Sequence, residues 1–275
     1  MDKGTAIGLA LALISILGAA VVEAGSVTIL FALMNLPSAM IVFGGTIGTV
    51  IVAFPLDRVT QLGKVLGVAF RQQVTSERDL VTLFVRLAER ARREGLLALE
   101  SEAQEIEDAS IKKGVLLVVD GTDPDLVREI MEADVSAMGE RHEGKFAMFV
   151  AAGGFAPTMG IIGTVMGLVN VLSHLDKPDE LGKSIATAFI ATLYGVLSAN
   201  VFWLPVGERL KQRNKEEVGR RTLAVEGVLA VQAGDNPRVV REKLEAFLPM
   251  ALRGEAEATD EAAGGEAPAQ AAAAA

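Results

Sequence analysis

Two threonines, Thr164 and Thr192, each lie deep in a long apolar stretch of this 275-residue chain. A hydroxyl in such a setting can offer oxygen to water or to a small cation, but it does not titrate. Pro157 shares the stretch of Thr164. It removes a helical hydrogen bond and frees a carbonyl that a neighbour, a hydroxyl or water must satisfy. Pro205 closes the stretch of Thr192 and reads as a kink or a hinge. Between Phe146 and Leu172, and again between Ser184 and Pro205, there is no Asp, Glu, Lys, Arg or His. Proton and cation pathways generally use an intramembrane ionisable group. If this chain conducts ions, a partner must therefore bring the carboxylate. Other chemistries are excluded more simply. There is no cysteine, and the only histidines are His142 and His174, so neither thiolate catalysis nor a Cys- or His-rich metal site is expected. A formal charge of −9 argues against nucleic acid as a partner. The chain is not expected to be an enzyme.

The elements that hold these residues follow from hydropathy. Hydrophobic residues make up 51% of the chain and aromatics only 5%, so the apolar mass is aliphatic and small. The 28 glycines fit membrane helices better than soluble ones. Four apolar stretches stand out: Gly4 to Val22, Ser26 to Phe54 (interrupted by Asn35 and Pro37), Phe146 to Leu172, and Ser184 to Pro205. Each is near the ~20 residues that cross a bilayer as a helix. The first is read as a span and not as a cleavable leader, because a second span follows after a few residues. Glu23 would sit at its outer interface. Arg58, Lys64 and Arg71 follow the second span, and Arg209, Lys211, Arg213 and Lys215 follow the fourth. The connection Glu23-Ala24-Gly25 has no basic residue, and Asp176, Asp179 and Glu180 outweigh Lys177 in the other. The bias of Lys and Arg then places both termini and the middle segment in the cytoplasm.

The expected fold is an all-α integral membrane protein, with four transmembrane helices and a helical cytoplasmic domain between the second and third spans. Its parts are an outer hairpin over residues 1–57, a cytoplasmic domain over 58–145, the third and fourth spans over 146–206, a cytoplasmic helix over 207–253 starting near Glu208, and a disordered tail over 254–275. In the middle segment Leu80, Phe84, Leu87 and Ala91 recur at helical spacing, and the run Gly95 to Leu99 continues that pattern. Asp123-Pro124-Asp125 predicts a helix start. The run Gly114 to Val119 is rich in β-formers, and its length does not separate helix from strand.

Small residues line both inner spans. Gly160, Gly163 and Gly167 follow helical spacing on the third; Thr187, Ala191, Gly195 and Ser198 do so on the fourth. Lipid gives no hydrophobic drive for helix association, so small-residue packing takes that role. The stripes read equally as seams inside one subunit and as contacts between subunits.

These strings resemble a known family. Ile41-Val42-Phe43-Gly44-Gly45-Thr46 followed by Pro55-Leu56-Asp57 resembles the second helix of flagellar stator proteins of the MotA/PomA family. Ala156-Pro157-Thr158-Met159-Gly160-Ile161-Ile162-Gly163-Thr164-Val165-Met166-Gly167-Leu168 is similar to the third. Ala191-Thr192-Leu193-Tyr194-Gly195-Val196-Leu197-Ser198-Ala199-Asn200, then Leu204-Pro205, is similar to the fourth. The likeness covers nearly everything but the tail. It implies a subunit of an inner-membrane ion channel that generates torque. Five such chains would surround the membrane helices of two MotB-type partners, each with one span, a membrane aspartate and a peptidoglycan-binding domain. The ring would push on a FliG-type rotor.

By the same resemblance, Pro157 and Pro205 match conformational prolines, and Thr164, Thr192 and Tyr194 fall along the ion path. Arg92-Arg93-Glu94-Gly95-Leu96-Leu97-Ala98-Leu99-Glu100 matches the rotor-facing segment. Arg92 and Glu100 take the contact roles there, with Arg93 a substitute for Arg92. One helix would place the pair about two turns apart on one side; without the resemblance they read as a solvated charged face. No cofactor is implied. The transported ion is a proton or sodium, and the lack of a second hydroxyl at Ala191 inclines the reading to protons. Two other readings stand beside this one. A TolQ/ExbB-like energiser of a periplasmic or gliding machine would typically have three spans and an outside N-terminus. A membrane scaffold would move no ions.

Overall fold

The computed structural model describes residues 3–70, 76–175 and 178–250. Arg71, Asp176, Lys177 and the tail over 254–275 lie outside the described residues. In chain order the helices are α1 (Lys3–Ala24), α2 (Leu36–Ala53), α3 (Leu62–Ala69), α4 (Glu77–Glu94), α5 (Leu99–Glu105), α6 (Ala109–Val119), α7 (Pro124–Ser173), α8 (Pro178–Ser198), α9 (Leu204–Gln232) and α10 (Pro237–Glu245). Single helical turns at Ile29–Ala32 and Leu56–Val59 flank α2. There is no strand among the described residues. Four helical segments are long and apolar enough to cross a membrane: α1, α2, the later part of α7, and α8 with its continuation.

The chain divides into two units. The first takes its described residues from 1–72 and 138–216, the second from 73–137 and 217–275. Both α7 and α9 contribute to both.

In the first unit α1 would be about 33 Å long at the ordinary helical rise, enough for a hydrocarbon core. The second span is shorter than its apolar stretch. Asn35 does not interrupt it but starts it: the Asn35 side chain accepts from the Ser38 amide at 3.0 Å, and Pro37 occupies the first turn. The helix does not stop at Pro205, and no new helix starts near Glu208. A π turn at Ala199–Trp203 leads straight into α9, and Pro205 sits in that helix's first turn. A proline inside an α-helix clashes with the carbonyl four residues back, here that of Val201, which lies within the wider π turn. The chain thus remains helical through its proline.

The second unit has its own core. Leu80, Phe84 and Leu87 of α4 pack with Leu99 of α5, Val115 of α6, Val127 of α7 and Leu223 of α9. Ala91 is only partly buried against this cluster. The run with strand-like composition is helical. Ile111, Gly114, Val115 and Val118 are buried at helical spacing on α6, and Gly114 lies under Met131 and Val228. Asp108 caps α6 by accepting from the Ser110 amide at 2.9 Å; Asp123 caps α7 by accepting from the Asp125 amide at 3.0 Å, as the Asp-Pro-Asp string predicts. Arg128 donates to Glu226 at 2.8 Å, and Lys243 pairs with the same carboxylate at 3.2 Å, tying α7, α9 and α10 together. Burial alone would raise the Glu226 carboxyl, but Arg128 and Lys243 outweigh it and hold it below the usual carboxylate range.

An uncharged seam and a charged turn

The candidate site begins with four glycines between α7 and α8. A Cβ on Gly195 would lie 2.6 Å from the Ala156 carbonyl oxygen and 3.2 Å from Pro157 Cα. One on Gly160 would lie 2.9 Å from the Ala191 carbonyl oxygen. One on Gly163 or Gly167 would lie 2.6 Å from the Cβ of Ala191 or Ala188 respectively. These four glycines therefore close a seam inside one subunit. The reading of the same four as contacts between subunits is corrected: the faces of Gly160, Gly163 and Gly167 are already filled by the chain's own fourth span, and that of Gly195 by its third.

That closeness brings Thr164 and Thr192 together. Their hydroxyls are hydrogen-bonded to each other, and Thr164 Oγ1 also lies 3.1 Å from the carbonyls of both Gly160 and Ala188. Thr164 carries one proton for two carbonyls, so the pair is rich in acceptors. Both side chains are half-buried. Nothing ionisable is near them in sequence on either helix, so the pair offers oxygens without a charge.

Pro157 lies inside α7 directly against Gly195. Its ring deprives the Gly153 carbonyl of its helical donor. Gly153 in turn packs under Leu204, the neighbour of Pro205. The two prolines thus flank one contact between the third and fourth spans.

Tyr194 is drawn elsewhere. Its hydroxyl donates to the Leu33 carbonyl and accepts from the Asn35 amide at 3.1 Å. The Asn35 side chain donates to Thr187 Oγ1 at 3.0 Å, and Ser38 donates to the Thr187 carbonyl at 2.9 Å. Tyr194 therefore clasps the start of α2 to α8 and does not join the threonine pair. Tyr194→Phe is expected to lose about 1–2 kcal/mol from the two bonds. A lower melting temperature of the purified complex, with Thr164–Thr192 geometry retained, would check it.

The charged turn lies in the second unit. Arg92, Arg93 and Glu100 are all exposed and make no ion pair among the described residues. They do not share one helix. Gly95, with φ +86, ends α4, and a 3₁₀ turn at Leu96–Ala98 leads into α5. The continuous helix expected through Gly95 to Leu99 is thus corrected, because a positive φ suits glycine and stops the helical ladder. Glu102, which sequence reasoning missed, pairs with both Arg86 and Arg90 and fixes α5 against α4. Leu97, 75% exposed, stands between the charges.

Comparison with known proteins places this geometry. Residues 6–95 match the model for the motility protein A N-terminal region, and residues 102–222 match the MotA/TolQ/ExbB proton channel family. Motility protein A of Bacillus subtilis is 40% identical over 251 residues, covering 90% of this chain and 92% of that protein. The chain belongs to the MotA family. Chemotaxis protein PomA of Vibrio alginolyticus is 38% identical over 215 residues, covering 78% of this chain and 84% of its own length. The flagellar MotAB stator complex of Bacillus subtilis superposes with a TM-score of 0.84 at 38% identity, covering 96% of this chain and all of the matched chain. The MotAB structure from C. jejuni gives 0.85 at 30% identity, covering 91% and 97%. The N-terminal match to motility protein A and the relatives named motility protein A and PomA support the stator reading over a TolQ/ExbB-like energiser. Among the described residues no cluster of His, Asp and Glu could hold a metal.

Proposed function

We propose that this chain is the ion-path and torque-generating subunit of a bacterial flagellar stator. It sits in the inner membrane with both termini in the cytoplasm. Five copies surround two MotB-type one-span subunits that grip peptidoglycan, and the ring works on a FliG-type rotor. The observation that carries the reading is the Thr164–Thr192 pair, a set of oxygens in a seam with no carboxylate of its own. A partner's aspartate beside that seam would gain its proton or sodium there, lose its charge and pass the low-dielectric face at lower cost. Pro157 and Pro205 let the third and fourth spans adjust as the ion moves. Arg92, Arg93 and Glu100 meet the rotor as exposed charges on a turn held rigid by Glu102. Nothing in this account is catalysis of a covalent change.

Co-expression with a MotB-type partner in cells lacking stators tests the reading directly. Swimming and ion flux should appear together, and proton coupling predicts a swimming speed unchanged when external sodium is replaced by potassium. Flux without motility on any rotor, or no flux with an unplugged partner, would count against it. Reversing charge with Arg92→Glu and Arg93→Glu should reduce swimming about tenfold or more, as expected if a contact is worth at least ~1.4 kcal/mol. Membrane levels should not change, since both side chains are solvent-facing.

A further inference from the structure

Thr46 of α2 is 0% exposed, and its hydroxyl oxygen is buried without a hydrogen-bond partner. A helical threonine commonly bonds the carbonyl three or four residues back, as Thr49, Thr164 and Thr187 do. For Thr46 the carbonyl four back is that of Val42, inside a π turn at Met40–Gly44, and the Gly45 amide donates to it there. The Thr46 hydroxyl makes no bond to its own helix and is left to its neighbours. A Cβ on Gly45 would lie 2.7 Å from Met159 Sδ, and one on Gly163 would lie 3.6 Å from Ile41 Cγ2. Val50 packs with Ala152 further along. α2 and α7 are thus antiparallel, and Thr46 stands at the level of Pro157. That proline removes the helical donor of the Gly153 carbonyl. A second orphan lies nearby: Trp203 Nε1 is buried without a partner, while its ring packs against the cluster of Val50 and Ala152. Leu204, the next residue, covers Gly153.

Three polar groups therefore converge on one apolar-walled break: an N–H that donates, a carbonyl that accepts and a hydroxyl that does either. Polar groups buried without partners are costly. A cation would be repelled by the indole N–H, and an anion would find no Lys or Arg on these stretches of α2, α7 and α8. A buried water makes about three hydrogen bonds and matches such a mixed set. Ordered water is also one means by which a membrane helix tolerates a proline. We infer that the break at Pro157 holds ordered water, bonded by the Thr46 hydroxyl, the Gly153 carbonyl and the Trp203 indole N–H. The water stands in for the missing amide and keeps the carbonyl satisfied as the third span bends against the second. The inference does not depend on the function proposed above.

The test images the full chain with its MotB-type partner by single-particle cryo-microscopy, at a resolution that shows ordered water. Water density should lie about 3 Å from Thr46 Oγ1 and from the Gly153 carbonyl oxygen. Thr46→Val keeps the shape without the hydroxyl and should lose that density; Thr46→Ser should keep it. A second readout needs no variant. Trp203 is the only tryptophan of the chain, so isotope labelling of this chain alone isolates its indole band in resonance Raman spectra. In the parent that band should sit at its hydrogen-bonded position, and in Thr46→Val it should shift toward the free one. A parent map with no water at the break would overturn the inference. So would a Thr46 hydroxyl bonded straight to a backbone carbonyl, water density unchanged in Thr46→Val, or a free indole N–H in the parent. The last of these decides the matter even if Thr46→Val fails to assemble.

Discussion

Gly195→Leu is expected to abolish swimming while leaving a full-length, membrane-inserted chain. Even the first carbon of the new side chain would lie 2.6 Å from a carbonyl oxygen and 3.1 Å from the Gly160 Cα. Both obstacles are backbone, so no rotamer relieves them. The third and fourth spans must part, at about 3 kcal/mol or more, the upper end of ordinary overpacking. Parting them separates Thr164 from Thr192, whose contact exists because the helices approach through glycine. Disulfide formation between Thr164→Cys and Thr192→Cys should be fast in the parent chain and slow when Gly195→Leu is added. Gly154→Ala on the facing helix α7 is the stability control, since nothing lies within 4 Å of its Cβ position. Normal swimming by Gly195→Leu would mean the seam is not where the ion is handled.

Pro157→Leu should also stop swimming, for the opposite structural reason. The leucine restores an N–H that can bond the Gly153 carbonyl, so α7 gains about 1 kcal/mol and straightens locally. Melting temperature should stay level or rise, and flux with an unplugged partner should fall about tenfold or more. The two variants thus separate two ideas. Gly195→Leu loses function with lost packing; Pro157→Leu loses it with packing intact, which only a conformational role explains. A Pro157→Leu chain that swims normally would reduce the proline to a tolerated irregularity.

Much of the fold was legible because long apolar runs have few alternatives. Span number, the Asp-Pro-Asp helix start and the Leu80–Phe84–Leu87 face all follow from periodicity and capping chemistry. The glycine stripes were legible too, though their partner was not: spacing shows that a face is small, and only coordinates show what fills it. Tyr194 and Asn35 were harder. Their bonds join residues 159 positions apart, and no local pattern encodes such a pairing. Asn35 before Pro37 did carry a usable signal, that of a helix cap, which reading the two residues as a mere interruption of one apolar run concealed. Gly95 was misread for a related reason. A glycine inside a helical pattern is tolerated as often as it ends one, and the positive φ that decides the matter is invisible in sequence.

The π turn at Ala199–Trp203 has a consequence for variation in this chain. Such a turn holds one more residue than the α-helix it interrupts. It therefore offsets the phase of everything after it by about 100° around the helix axis. Deleting a single residue there would do little to length, yet it would swing Arg209, Lys211 and Arg213 to a different azimuth. The segment is a rotary setting, and a one-residue gap in it would redirect the cationic face of α9 without altering any residue on that face.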